Sequence, residues 1–352
     1  MQNLPLSYTQ SQKQYHAVAL AMFLLATGLL LSRMIATDFA RIVSLRFPPQ
    51  TAVIIISAFF SILAQIGMCF LLVFLVYKFT LKMTAKEIFA FSNFNRTKWY
   101  NLIIVIPIGI LGIFVTIGIS TVWAIFLVRL GFNRPSGNIN TLPETFNPLL
   151  FILQLFLVAV LPAICEEFAM RGGLFTVLKK RYSSGKFYIL MAIAFGLFHQ
   201  NITQLGYTAF FGAVMTFVVV KTKSVYPAMI IHFINNGLSV YLAHASAYGW
   251  LGGNIFSSLF RIGGGNPLAL FFGYIAIVAM FIGLLGLLSY VNKEQTANFC
   301  SQKFQVRNNH SYKNKNQSLH KKPIPQNNAF FIGAIVLTAS FTFFSFLWGL
   351  FY

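Results

Sequence analysis

The sequence predicts an all-α fold, a polytopic transmembrane helical bundle of about nine spans with a cytoplasmic N-terminus. Three observations predict it. Hydrophobic residues make up 57% of the 352 and charged residues only 9%, where a soluble globular chain is about a quarter charged. Runs of about 20 apolar residues, the length a helix needs to cross a bilayer core, recur from end to end. The basic residues, finally, collect in alternate loops.

Taken in order, a first helix near 15–33 is entered from Lys13 and left through Arg33, Arg41 and Arg46. A second, near 51–77, returns to Lys78, Lys82, Lys86, Arg96 and Lys98. The third, near 101–129, crosses towards Arg129 and Arg134. The fourth, near 149–178, comes back to Lys179, Lys180, Arg181 and Lys186. Helices at 187–200 and 205–220 go out and return to Lys221 and Lys223. A span at 224–246 leads to the Gly-rich stretch 249–266, read as an outer loop and containing Arg261. Helix 267–291 returns to Lys293, Lys303, Arg307, Lys313, Lys315, Lys321 and Lys322, and 329–352 ends outside. Basic residues thus divide 19 to 6 between the two sides, with Arg171 inside a helix. This is the positive-inside bias, which places the N-terminus in the cytoplasm.

The same distribution explains the net charge of +20 as a topology signal. No nucleic-acid partner is expected; the bilayer, with its anionic lipids, is. The first apolar run has only Lys13 ahead of it and no evident small-residue cleavage site, so it reads as a retained span. Residues 1–352 form a single membrane domain. Within it, the Asn-, Gln- and Lys-rich stretch 292–328 is expected to be a flexible basic cytoplasmic loop. Cys69, Cys165 and Cys300 are scattered and support neither a disulfide framework nor a cysteine metal site. A bacterial plasma membrane is the expected location.

Only six acidic residues exist, and two adjoin inside an apolar helix: Glu166 and Glu167 in LFLVAVLPAICEEFAMRGGLF. Charges at bilayer depth cost several kcal/mol and persist where they face a cavity or a partner. Arg171 follows Glu167 by four residues and shares its face. That pairing can be purely structural, but it leaves Glu166 unexplained. Phe195 and His199 lie in one later helix, and His232 and Asn236, again four apart, in another. Counted back to the nearest cytoplasmic basic residue, Glu166, His199 and Asn236 lie at a depth of about 20 Å and His232 at about 14 Å. Alone, each polar group reads as helix–helix glue. Together they place a carboxylate, imidazole and amide near one layer.

Glu166–Glu167–Arg171, Phe195–His199 and His232–Asn236, in that order, are similar to the EExxxR, FxxxH and HxxxN signature of the CPBP intramembrane proteases, also called Abi or CAAX endopeptidase-like proteins. The resemblance covers about 150–245, roughly a quarter of the chain. It implies an intramembrane endopeptidase whose bundle opens to the cytoplasm. Eukaryotic members trim prenylated CAAX proteins, and bacterial ones are associated with bacteriocin maturation, self-immunity or peptide-signal processing. The implied partner is a membrane-embedded peptide or protein substrate.

The residue types suit that chemistry. Glu166 can take a proton from the attacking water and return it to the leaving amine. His199 would orient the water, and His232 and Asn236 would hold the oxyanion. Glu167, Arg171 and Phe195 would support the site, and Pro162 should kink the helix beside it. Cys165 reads as small helix filler. No cofactor or metal is expected. The alternative is zinc on His199, His232 and Glu166, a reasonable His₂Glu set without an HExxH motif. A non-catalytic immunity or scaffold protein is the third reading, disfavoured because a scaffold has no need of buried ionisable groups. The broken, repeated halves of a transporter are not found.

Overall fold

The computed structural model describes residues 8–132, 142–254, 266–293 and 329–351. All nine expected helices are present, with α1 Tyr8–Ser44 running well past 15–33 at both ends. The others are α2 Pro49–Thr80, α4 Trp99–Arg129, α5 Pro148–Arg181, α6 Ser184–Phe198, α7 Ile202–Thr222, α8 Tyr226–Tyr248, α9 Pro267–Val291 and α10 Ala329–Phe351. A tenth, α3 Ala85–Phe91, lies within the basic loop after α2. Its start is fixed by Thr84, whose side chain accepts from the Glu87 backbone while Glu87 Oε2 accepts from Thr84 N at 2.8 Å. That reciprocal pair satisfies two end donors of a helix too short to stand on propensity alone. No strand occurs among the described residues.

Among the described residues, seven helices are long and apolar enough to cross a membrane, so the count of about nine is approximate. Helix α6 has 15 residues, about 22 Å, and stops short of a full crossing. Helix α8 has the length, with 23 residues, but carries His232, Asn235, Asn236 and His244. Nearly all of the loop expected at 292–328, and much of that at 249–266, lies outside the described residues.

Helices α4, α5, α7 and α8 form the centre, with α6 on α7, α2 against α5, α9 on α4, and α1 and α10 paired at the flank. Lipid-facing surfaces are apolar, as at Leu149, Ile189 and Phe343, all more than half exposed. Lipid gives helices no hydrophobic reason to associate, so close backbone approach matters. Gly212 of α7 shows it: a Cβ there would stand 2.8 Å from the Cβ of Phe195.

Helix α5 is not uniform. Its turns widen to π geometry at Leu155–Val160 and Phe168–Leu174, where sequence periodicity gives only a proline-kinked α-helix. The first widening precedes Pro162, which has no N–H to give the carbonyl of Val158. That carbonyl instead accepts Asn236 Nδ2 at 3.0 Å, and Ser61 Oγ donates to the carbonyl of Leu157 at 3.0 Å. The second contains Gly172 at ψ −113°, outside helical values. Asn93, just after α3, donates from Nδ2 to the carbonyl of Arg171 at 2.7 Å. A Cβ on Gly172 would come within 2.9 Å of Ser92, so the break needs glycine for close approach of the α3 loop. The two widened segments flank Glu166 and Glu167, as π-turns at functional sites often do.

Candidate active site

Glu166 on α5 is 6% exposed. Its Oε1 accepts Gln65 Nε2 of α2 at 2.9 Å, which fixes the carboxylate plane. Its Oε2 is buried and has no hydrogen-bond partner among the described residues. That oxygen lies 3.9 Å from His199 Nε2 and 4.0 Å from His232 Nε2, too far for direct hydrogen bonds.

Both rings are anchored by their other nitrogen. His199 caps the C-terminus of α6, with Nδ1 2.9 Å from the carbonyl of Phe195 four residues back. A carbonyl only accepts, so Nδ1 carries hydrogen and Nε2 presents its lone pair in the neutral ring. His232 places Nδ1 2.9 Å from Glu167 Oε1, and the same reasoning leaves its Nε2 facing Glu166. Three acceptors therefore converge on one small region of a cavity of about 620 Å³, which Gln65, Tyr207, Asn235 and Asn236 also line.

The layer beneath holds this geometry. Glu167 is fully buried and bridges two partners, taking Arg171 Nη1 at 3.2 Å as well as His232. Arg171 is fully buried too, donates from Nη2 to the carbonyl of Gly212 at 3.1 Å, and sits with Cζ 4.2 Å from the centre of the Phe195 ring. Phe195 in turn meets His199 and His232 edge-on at 5.0 and 6.0 Å. A desolvated cation over a ring is worth about 2 kcal/mol, so Phe195 stabilises the guanidinium while backing both imidazoles.

All seven residues singled out from sequence thus meet in one place, with one correction of depth. Residue counting puts Asn236 in the layer of Glu166 and His232 a turn away. In the structure His232 faces Glu166, and Asn236 lies one turn beyond, held by Val158. The π segment Phe168–Leu174 works in that direction: wider turns rise less per residue, so Glu166 lies closer to Lys179 along the axis than an α-helix would put it. Sequence reasoning missed Gln65, Gly212 and Arg33. Arg33 Nη2 donates to the carbonyl of His199 at 2.8 Å and Nη1 to that of Gln200 at 3.3 Å, satisfying the end of α6. The usable signal for Gln65 was its spacing from Ser57 and Ser61, a polar face on an otherwise apolar span.

Among the described residues no group of three or more His, Cys, Asp or Glu side chains is arranged to hold a metal ion. The 3.9 and 4.0 Å separations exceed the roughly 3.3 Å between two donors on a tetrahedral zinc.

Residues 148–238 match the model of a family described as Rce1-like, type II CAAX prenyl endopeptidase. The match begins with α5, contains Glu166, Glu167, Arg171, Phe195, His199, His232 and Asn236, and supports the family that those motifs resemble. No curated protein and no solved structure matches the chain.

Proposed function

We propose that the chain, whose residues 148–238 match the type II CAAX prenyl endopeptidase model, is an intramembrane endopeptidase that hydrolyses a peptide bond with a water activated by Glu166 and His199. The observation that carries this reading is the buried, unpartnered Oε2 of Glu166, flanked at about 4 Å by two imidazole nitrogens. One water oxygen can hydrogen-bond to the carboxylate and to an imidazole across such a gap, because two bonds of about 2.8 Å span it easily. Water also suits this meeting of acceptors, since its two hydrogens can serve the carboxylate and one imidazole.

In this mechanism the water oxygen attacks the carbonyl carbon while Glu166 takes its proton. Negative charge develops on the carbonyl oxygen. Asn236 uses one Nδ2 hydrogen on Val158 and keeps a second for that oxygen. His232, anchored through Nδ1 by Glu167, keeps its ring against the reacting groups. Glu166 then delivers its proton to the amide nitrogen as the C–N bond breaks, leaving a carboxylic acid and a free amine, between which the remaining water proton passes to give carboxylate and ammonium. Gln65 orients the base, and Arg171 holds Glu167 in place through their contact at 3.2 Å.

The test is purified protein incubated with a library of transmembrane peptides. Wild type should cleave and Glu166→Gln, which keeps shape but cannot accept a proton, should lose at least 10²-fold in turnover. A tight chelator should leave cleavage unchanged. Loss of activity on chelation with recovery on adding zinc would replace the water–carboxylate mechanism by a metal one. A folded Glu166→Gln protein with undiminished cleavage would overturn the role of Glu166 altogether.

A further inference from the structure

The direction in which the cavity opens follows from where its lining residues lie along each helix. Its floor is Glu166 and His232. Below them, towards Lys179, Lys180, Lys221 and Lys223, the core is closed: Glu167, Arg171, Phe168, Met215 and Val218 are all at 0% exposure. A mouth on that side would have to pass through the buried Glu167–Arg171 pair and the side chains packed on it.

The walls rise the other way. On α7 the lining residues Thr203, Gln204 and Tyr207 occupy its first turns, at the end remote from Lys221. On α8 they climb from His232 through Asn236 to Ser239, away from Lys223, and on α4 they reach Thr116 and Ser120, approaching Arg129. His199 itself ends α6 on this side. Polar side chains continue up these walls, from Asn235 and Asn236 to Ser120, Thr203, Gln204 and Ser239, as a water-filled entrance requires. A second cavity of about 220 Å³, with Gln50, Ser57, Asn147 and Gln154, adjoins it there and shares Leu157. Gln50, Ser57, Ser61 and Gln65 stand at helical spacing on one face of α2, a polar stripe from the Pro49 end down to Glu166. Beside this rim Phe146, His244, Tyr248 and Trp250 cluster with centroids 4.6 to 6.1 Å apart, the aromatic character of a membrane interface.

The end on which the cavity opens is the one with few basic residues, the outer side by the 19 to 6 charge bias. We infer that the cavity opens to the extracytoplasmic face, and that its substrate is an exported or membrane-anchored polypeptide presented from outside the membrane. Prenylated proteins of the cytoplasm, the substrates that the resemblance suggests, would meet the sealed side. The orientation stands independently of catalysis; the substrate class rests on the endopeptidase reading above.

Single cysteines at Ser239, Ser120 and Thr203 test the orientation with a membrane-impermeant maleimide, wild type giving the background from native cysteines. All three should label in intact cells, whereas a cysteine at Thr84, beside α3, should label only in inside-out vesicles. Labelling of Ser239→Cys and Ser120→Cys from the cytoplasmic side alone overturns the inference and leaves the endopeptidase reading intact. Two anchored reporters then test substrate class, one with a randomised juxtamembrane stretch outside the membrane and one with it inside. Cleavage of the outer reporter, abolished by Glu166→Gln, is expected. Cleavage of the inner reporter alone overturns the substrate class. If the maleimide pattern is as expected but wild type and Glu166→Gln cleave neither reporter nor the peptide library, it is the endopeptidase reading that fails.

Discussion

Replacing Arg171 by alanine should cost stability as well as activity, by an amount the structure allows to be worked out. The guanidinium is fully buried, 3.2 Å from Glu167, 3.1 Å from the carbonyl of Gly212, and 4.2 Å above the Phe195 ring. Truncation strands the carboxylate of Glu167, also fully buried, and removing one partner of a buried pair costs about 3–5 kcal/mol. The lost cation–ring contact lies within that figure, because a neutralised Glu167 relaxes part of the penalty. At roughly 2 °C per kcal/mol for a chain of this size, the midpoint in detergent should fall by about 6–10 °C. Adding Glu167→Gln to Arg171→Ala should recover part of the loss, since the stranded charge goes. Activity should not return with it, because His232 then has lost the carboxylate that anchors its Nδ1. Thermal unfolding of the four proteins in the cycle, beside their turnover on one peptide, checks both claims. An Arg171→Ala protein as stable as wild type yet inactive would refute the reasoning and move Arg171 into the chemistry.

Other consequences can be checked more briefly. Asn236→Ala should fold and leave a slower enzyme, down about 10²–10³-fold in turnover, the usual cost of one oxyanion donor; unchanged rates would free Asn236 from that role and leave it a tether for Val158. Gly212→Ala places a Cβ 2.8 Å from that of Phe195 and should destabilise by about 1–3 kcal/mol, seen as a lower unfolding midpoint. Because Phe195 backs both imidazoles, activity should fall further than stability predicts. Reporter fusions at His310 and at Tyr352 should land on opposite sides, His310 in the cytoplasm; finding both together would remove the last crossing and show the span count to be eight.

The seven motif residues were legible because polar groups are conspicuous in apolar spans, and their order carried a family resemblance. Gln65 was not, since a single amide among hydrophobic residues can equally be glue between helices. Gly212 contributes only its backbone carbonyl and its lack of a side chain, neither of which leaves a chemical mark in the sequence. Arg33 looked like one more flanking charge until the end of α6 was seen against it. The helix α3 was hidden inside a basic loop, its capping pair Thr84 and Glu87 too short a pattern to outweigh the surrounding charges.

By itself, the sequence determined that the chain is built of apolar helices fit to cross a membrane, and its charges predict which way they run. The physical reason is local: each apolar run must satisfy its own backbone hydrogen bonds in lipid, and flanking charges choose a side one loop at a time. Only the tertiary structure decided which polar residues share a layer, that His232 rather than Asn236 faces Glu166, and which end of the cavity is sealed. Those outcomes depend on axial rise through the widened turns of α5 and on how closely glycines let neighbouring helices approach. Such quantities belong to helices packed together, and no periodicity within one segment contains them.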